Sequence, residues 1–119
     1  MIARMSAILL LVASSLAVAA PSGSAPRPLK GDYQVYGGSL GDMESPTPKD
    51  RKVAFMFTGP LAKDLFSQIG PDMKDTCGAS PTHRERQRGD LSCTRDTEGY
   101  RCYFGLNVVT GKGMDGSIC

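Results

Sequence analysis

Asp90-Leu91-Ser92-Cys93-Thr94-Arg95-Asp96-Thr97-Glu98-Gly99-Tyr100-Arg101-Cys102-Tyr103-Phe104 is the stretch whose reading decides the fold. Residues 90–95 and 100–104 read as the two strands of an antiparallel hairpin around Asp96-Thr97-Glu98-Gly99. With those four residues as the loop, Cys93 stands opposite Cys102. Successive side chains in a strand point to opposite faces. Leu91, Cys93, Cys102 and Phe104 therefore share one face, and Ser92, Thr94, Arg101 and Tyr103 the other. The thiols face a core.

Upstream, Lys52-Val53-Ala54-Phe55-Met56-Phe57-Thr58 is a compact apolar run stopped by Gly59-Pro60. It reads as the best-buried strand, because a helix would be cut off too soon. Pro60 suits the first position of a helix, with Thr58 or Gly59 as its cap. Leu61, Leu65, Phe66 and Ile69 then form an apolar stripe, with Lys63, Asp64 and Ser67 off it. Gly70-Pro71 ends the helix, which should pack on the sheet. Tyr33-Gln34-Val35-Tyr36 reads as a short strand ending at Gly37-Gly38, and 41–50 as a loop. Residues 106–110 can continue as a strand, and the glycine-rich tail 111–118 is expected to be pinned only by Cys119. The sum is an α+β fold: a small antiparallel sheet with one packed helix and two disulfides.

The chain has 119 residues, of which 22% are charged and 40% hydrophobic. That composition excludes an acidic disordered tail and a multi-span membrane protein. A net charge of +2 is too small for a nucleic-acid binder. Residues 1–19 read as a secretory signal peptide, with Arg4 as the n-region, 7–12 as the apolar core and Ala17-Val18-Ala19 at the cleavage site. The apolar run is shorter than a membrane span, so no membrane anchor is expected after cleavage. Residues 20–31 are a Pro/Gly/Ser leader that cannot order itself, and 32–119 form one disulfide-stapled domain. Cys77, Cys93, Cys102 and Cys119 all lie in that domain, spaced by 16, 9 and 17 residues. An even count in an exported domain reads as two disulfides, and the absence of a C-x-x-C pair argues against a metal or redox centre. Four cysteines allow three connectivities. Cys77–Cys93 with Cys102–Cys119 is preferred, because a Cys93–Cys102 bridge would tie strands already tied by their turn.

Several motifs fail on their mechanics. Gly111-Lys112-Gly113-Met114-Asp115-Gly116 matches a dinucleotide fingerprint, but no room remains for the helix that must follow it. Thr110-Gly111-Lys112 lacks the spacing and the Ser/Thr of a phosphate loop. Arg88-Gly89-Asp90 is a turn. Asp72/Asp75 and Asp96/Glu98 read as solubilising charge. His83 is the only imidazole, and it sits in a mixed charge run, 80–88, read as a solvated polar loop. No catalytic constellation, cofactor site or metal site is expected.

A signal, a small sheet and the cysteine segments Gly89-Asp90-Leu91-Ser92-Cys93 and Gly99-Tyr100-Arg101-Cys102-Tyr103-Phe104-Gly105 give a chain that resembles the small periplasmic inhibitors of cell-wall hydrolases made by Gram-negative bacteria. These include lysozyme inhibitors and amidase-immunity proteins. The resemblance is architectural. It implies a periplasmic or secreted protein whose partner is a cell-wall hydrolase, bound tightly and without chemistry. In the chain itself, a disulfide-pinned loop loses less entropy on binding. His83, Arg84, Arg86 and Arg88 are its partner-binding candidates, the guanidinium groups pairing with catalytic carboxylates. Lys112 in the tail and the aromatic edge at Tyr33 and Tyr36 are the competing surfaces. The readings from other classes are a small secreted hydrolase using His83 and a non-inhibitory envelope module.

Overall fold

The computed structural model describes residues 11–15, 23, 25–78 and 80–119. Most of the signal-peptide reading and part of the leader thus lie outside the described residues. The strands are β1 (Gly31–Ser39), β2 (Asp42–Glu44), β3 (Lys52–Thr58), β4 (Arg84–Arg88), β5 (Leu91–Asp96), β6 (Gly99–Asn107) and β7 (Lys112–Met114). Among the described residues there is one helix, α1 (Gly59–Gln68), between β3 and β4. The strands form one antiparallel sheet in the order β2-β1-β3-β6-β5-β4. β5 pairs with residues 99–103 of β6, and β7 with residues 105–107. β7 therefore continues the slot that β5 leaves.

The β5–β6 hairpin forms in the expected register, with Cys93 opposite Cys102. The pairing of the disulfides does not follow the sequence expectation. The bridges are Cys93–Cys102 and Cys77–Cys119. The loop-entropy preference loses to geometry, because the two hairpin cysteines stand 4.0 Å apart at Cα and are both fully buried. Each is sealed from every thiol but the other.

The helix is placed as expected, and its packed face differs from the expected stripe at one position. Ala62, Phe66 and Ile69 are buried, with Leu65 packed beside them, whereas Leu61 is exposed. The true stripe is thus i, i+3, i+4, i+7 from Ala62, the spacing a helix face requires. The smallest side chain lets the helix backbone approach the bridge, where Cys102 Sγ lies 3.4 Å from the Ala62 carbonyl oxygen. Phe57, Leu91 and Tyr100 complete this core. Thr58 occupies the cap position without a side-chain capping bond.

Four further expectations change. β1 runs from Gly31 through Gly37-Gly38 to Ser39, because Gly38 takes a positive φ of 69° and Asp50 Oδ2 accepts its N–H at 2.8 Å. The 41–50 loop contains β2. β3 has the expected limits but is half-buried throughout, because α1 packs more against β6 than against β3. The glycine-rich tail is not a free turn. Its residues 112–114 are strand β7, and Gly116 lies flat on β6, where a Cβ would stand 2.5 Å from the Phe104 backbone. Gly105 faces the Asp115 carbonyl equally closely. Here glycine serves close approach of backbones.

Candidate functional site

The run 84–88, expected as solvated loop, is edge strand β4. It pairs with β5 so that Arg84 faces Arg95, Arg86 faces Cys93 and Arg88 faces Leu91. Period two puts the three arginines on the helix-bearing face, and Glu85 and Gln87 on the other. The sequence candidates thereby separate into three places.

The first place is the C-terminal end of α1. Helix ends leave carbonyls without partners. Arg86 Nη1 donates to the Phe66 oxygen at 2.9 Å and the Ile69 oxygen at 3.2 Å. Its guanidinium also lies 4.3 Å from the Phe66 ring centroid. Asp72, just past the helix, accepts from Arg84 at 2.7 and 3.1 Å and from Arg86 at 2.7 Å. These hydrogen bonds hold the Asp72 carboxyl down at about 2, from its ordinary 3.8. The Asp72 bonds push the Arg84 guanidinium up in turn. Asp72 is thus a structural counter-ion, not the loose solubilising charge expected. Arg84 and Arg86 are thus both tied to Asp72, and Arg86 also to the helix end.

The second place is the opposite face, where a cleft of about 730 Å³ opens. Its floor is the polar side of β4, β5 and β6, including Thr94 and Tyr103. Its walls are residues 73–78 and the tail 115–119, joined by Cys77–Cys119. His83 Nε2 lies 2.7 Å from Glu85 Oε1, and the same oxygen accepts the Cys77 N–H at 3.0 Å. Both side chains are largely buried, at 15% and 12% exposure. Ser92 and Ser117 hydroxyls meet at 3.4 Å across the cleft. Among the described residues, no group of three or more His, Cys, Asp or Glu is arranged to hold a metal ion.

The third place is the end of the sheet where β4 meets β5 and β6 meets β7. Arg88 and Lys112 are both exposed there. The two turns adjoin, since a Cβ on Gly113 would stand 3.3 Å from Asp90 Oδ2. Between β6 and β7 the chain makes a tight turn held at several points. Asn107 Oδ1 accepts the N–H of Val109 at 3.0 Å and of Thr110 at 3.3 Å. Gly111 N donates to the Asn107 oxygen at 2.7 Å, and Val108 N to the Arg51 oxygen at 2.9 Å. So fixed, the turn presents Val108 and Val109 at 46% and 53% exposure beside Lys112.

The structure therefore brings Arg84 and Arg86 together, places His83 across the sheet from them, and leaves Arg88 and Lys112 exposed toward one end of the sheet. Sequence reasoning missed Asp72, Glu85 and the Val108-Val109 turn. Of these only the turn had a local signal: Asn107 followed by apolar residues and Gly111 fits an Asx-type turn.

The two disulfides place the folded chain in an oxidising, non-cytoplasmic compartment. No described helix is long and apolar enough to cross a membrane. Comparison with protein-family models, curated proteins and solved structures finds no match to this chain.

Proposed function

We propose that the protein is an exported, periplasmic or secreted, binding protein that inhibits a cell-wall-degrading enzyme, with the β6–β7 turn as its leading edge. The observation that carries this reading is the pinned turn with two exposed valines. Exposed apolar side chains on a segment already fixed by hydrogen bonds can enter a partner's cleft with little ordering cost. Burying the exposed part of each valine contributes about 1 kcal/mol. Lys112 follows the turn and Arg88 stands at the adjoining β4–β5 turn, both exposed and without an ion pair among the described residues, so both can meet carboxylates. Arg84, Arg86 and Asp72 act as supports for the scaffold in this reading.

The test measures release of fragments from purified peptidoglycan by a lysozyme and by a muramyl-amidase, with and without the oxidised protein. Saturable slowing of one enzyme is expected. The double variant Val108→Asp, Lys112→Glu should lose it while melting like the parent. No slowing and no capture of either enzyme at high micromolar concentration would overturn the reading.

The His83–Glu85 pair favours one second reading, hydrolysis in the cleft. It forms the base–orienter half of an acid–base arrangement. Hydrolysis by the protein alone, lost in His83→Ala, would select it over inhibition.

A further inference from the structure

A sheet edge carries a row of unpaired N–H and C=O groups, and natural proteins cover it, shorten it or line it with charge. The β4 edge is treated in that way. Its sequence is Arg84-Glu85-Arg86-Gln87-Arg88, and the Met73 N–H already occupies the Glu85 carbonyl at 2.8 Å. β7 is only three residues long. The outer edge of β1 is different. β2 pairs with β1 only at residues 37–39, so residues 31–35 have no strand partner on that side among the described residues.

Which groups face outward follows from the ladder. Thr58 N donates to the Lys30 oxygen at 3.0 Å, and the register continues as Gly31 to Phe57 and Asp32 to Met56. Hydrogen-bonded and non-bonded pairs alternate in an antiparallel ladder. Asp32, Gln34 and Tyr36 therefore bond to β3, and Gly31, Tyr33 and Val35 aim their N–H and C=O groups at solvent. Tyr33 is 72% exposed. Asp32 is the sole charged side chain in this stretch.

We infer that this edge pairs with the same edge of a second copy of the chain, antiparallel, about a two-fold axis at Tyr33. The segment is self-complementary in that register. Tyr33 meets Tyr33 as a hydrogen-bonded pair, Gly31 meets Val35, and every outward N–H and C=O of residues 31–35 gains a partner. Asp32 meets the carboxamide of Gln34, so no like charges oppose each other. The same operation on β4 about Arg86 would set Arg86 against Arg86, with like charges directly opposed. The slot also has a natural stop. Glu44, the last residue of β2, pairs with Gly37, which limits the paired stretch to the open residues. The dimer has one continuous sheet and leaves both the cleft and the β6–β7 turn free, so it stands independently of the proposed inhibition.

The test is sedimentation velocity of the oxidised protein across the micromolar to millimolar range, with hydrogen exchange at both ends. A concentration-dependent dimer is expected. The amides of Gly31, Tyr33 and Val35 should gain protection in it, while those of Asp32 and Gln34, already bonded to β3, stay unchanged. Tyr33→Pro removes one outward donor without touching the β1–β3 ladder. Tyr33→Lys sets two ammonium groups face to face and changes only an exposed side chain, so it decides the matter if the proline variant misfolds. Either should weaken the dimer about tenfold or more. A protein that stays monomeric at millimolar concentration, a dimer equally strong in Tyr33→Lys, or protection gained elsewhere would each overturn the inference.

Discussion

Replacing Arg86 by Ala removes the group that closes the end of α1. In the folded protein that guanidinium donates to two helix carbonyls and lies on the Phe66 ring, with its side chain only 20% exposed. Hydrogen bonds from a charged donor contribute about 1.5–3 kcal/mol each, and a stacked cation about 0.5–1. Water can enter after truncation and recover part of the carbonyl bonding, so a net loss of about 2–4 kcal/mol is expected. A domain of this size has roughly 5–15 kcal/mol in total, and each 1 kcal/mol moves Tm by about 4–8 °C. Thermal unfolding should therefore fall by at least about 8 °C. Arg88→Ala, at an exposed position, should stay within about 0.5 kcal/mol. The assay is far-UV circular dichroism melting of the two variants under oxidising conditions. If Arg86→Ala melts with Arg88→Ala and the parent, Arg86 is not a structural support. The arginine stripe would then return whole to the pool of binding residues.

Two other perturbations test the same geometry. Asp72 has its folded pKa depressed to about 2, so its contribution is present above the ordinary 3.8 and is lost as pH falls through 2. Stability should drop between those values, and Asp72→Asn should flatten that segment of the pH–stability curve while lowering the plateau at neutral pH; an unchanged curve would contradict the ion-pair assignment. Cys77 and Cys119 are exposed and Cys93 and Cys102 are fully buried, so mild reductant with an alkylating reagent should label Cys77 and Cys119 first, as read by peptide mass. The chain-entropy model gives the long Cys77–Cys119 loop about 4 kcal/mol at most; simultaneous labelling of all four would show that the core opens as readily as the rim.

Legibility followed the range over which each signal acts. β3, α1 and the β5–β6 hairpin were readable because glycine, proline and side-chain alternation fix them within a few residues. Even the helix face needed the partner surface, since Leu61 loses its place to Ala62 only because Cys102 lies beneath. β4 was not readable as buried structure, because Arg-Glu-Arg-Gln-Arg has no apolar alternation. Its signal was period two in charge type, with arginine at 84, 86 and 88. A strand at an edge needs no apolar face when its long side chains lie over a neighbouring ring, as Arg86 does over Phe66. The disulfides were misassigned for a similar reason. Loop entropy is a property of the chain, but access between buried thiols belongs to the packed hairpin.

The three arginines look equivalent in sequence, and the fold makes them unequal by where the helix stops. α1 ends at Gln68 and its last carbonyls lie over the start of β4, within reach of Arg86. Asp72 follows within a few residues and takes Arg84 as well. Arg88 stands one strand period further along, past the helix end, opposite Leu91 at the turn. Among the described residues no carbonyl or carboxylate bonds to it, and it is exposed. That same end of the sheet holds Lys112 and the Val108-Val109 turn. The helix stop thus commits two cations to holding the scaffold and leaves the third exposed toward the end of the sheet that carries the only pair of adjacent exposed valines among the described residues. A partner that recognises this protein by charge should therefore be sensitive to Arg88 and Lys112, and should respond to Arg86 only through loss of the fold.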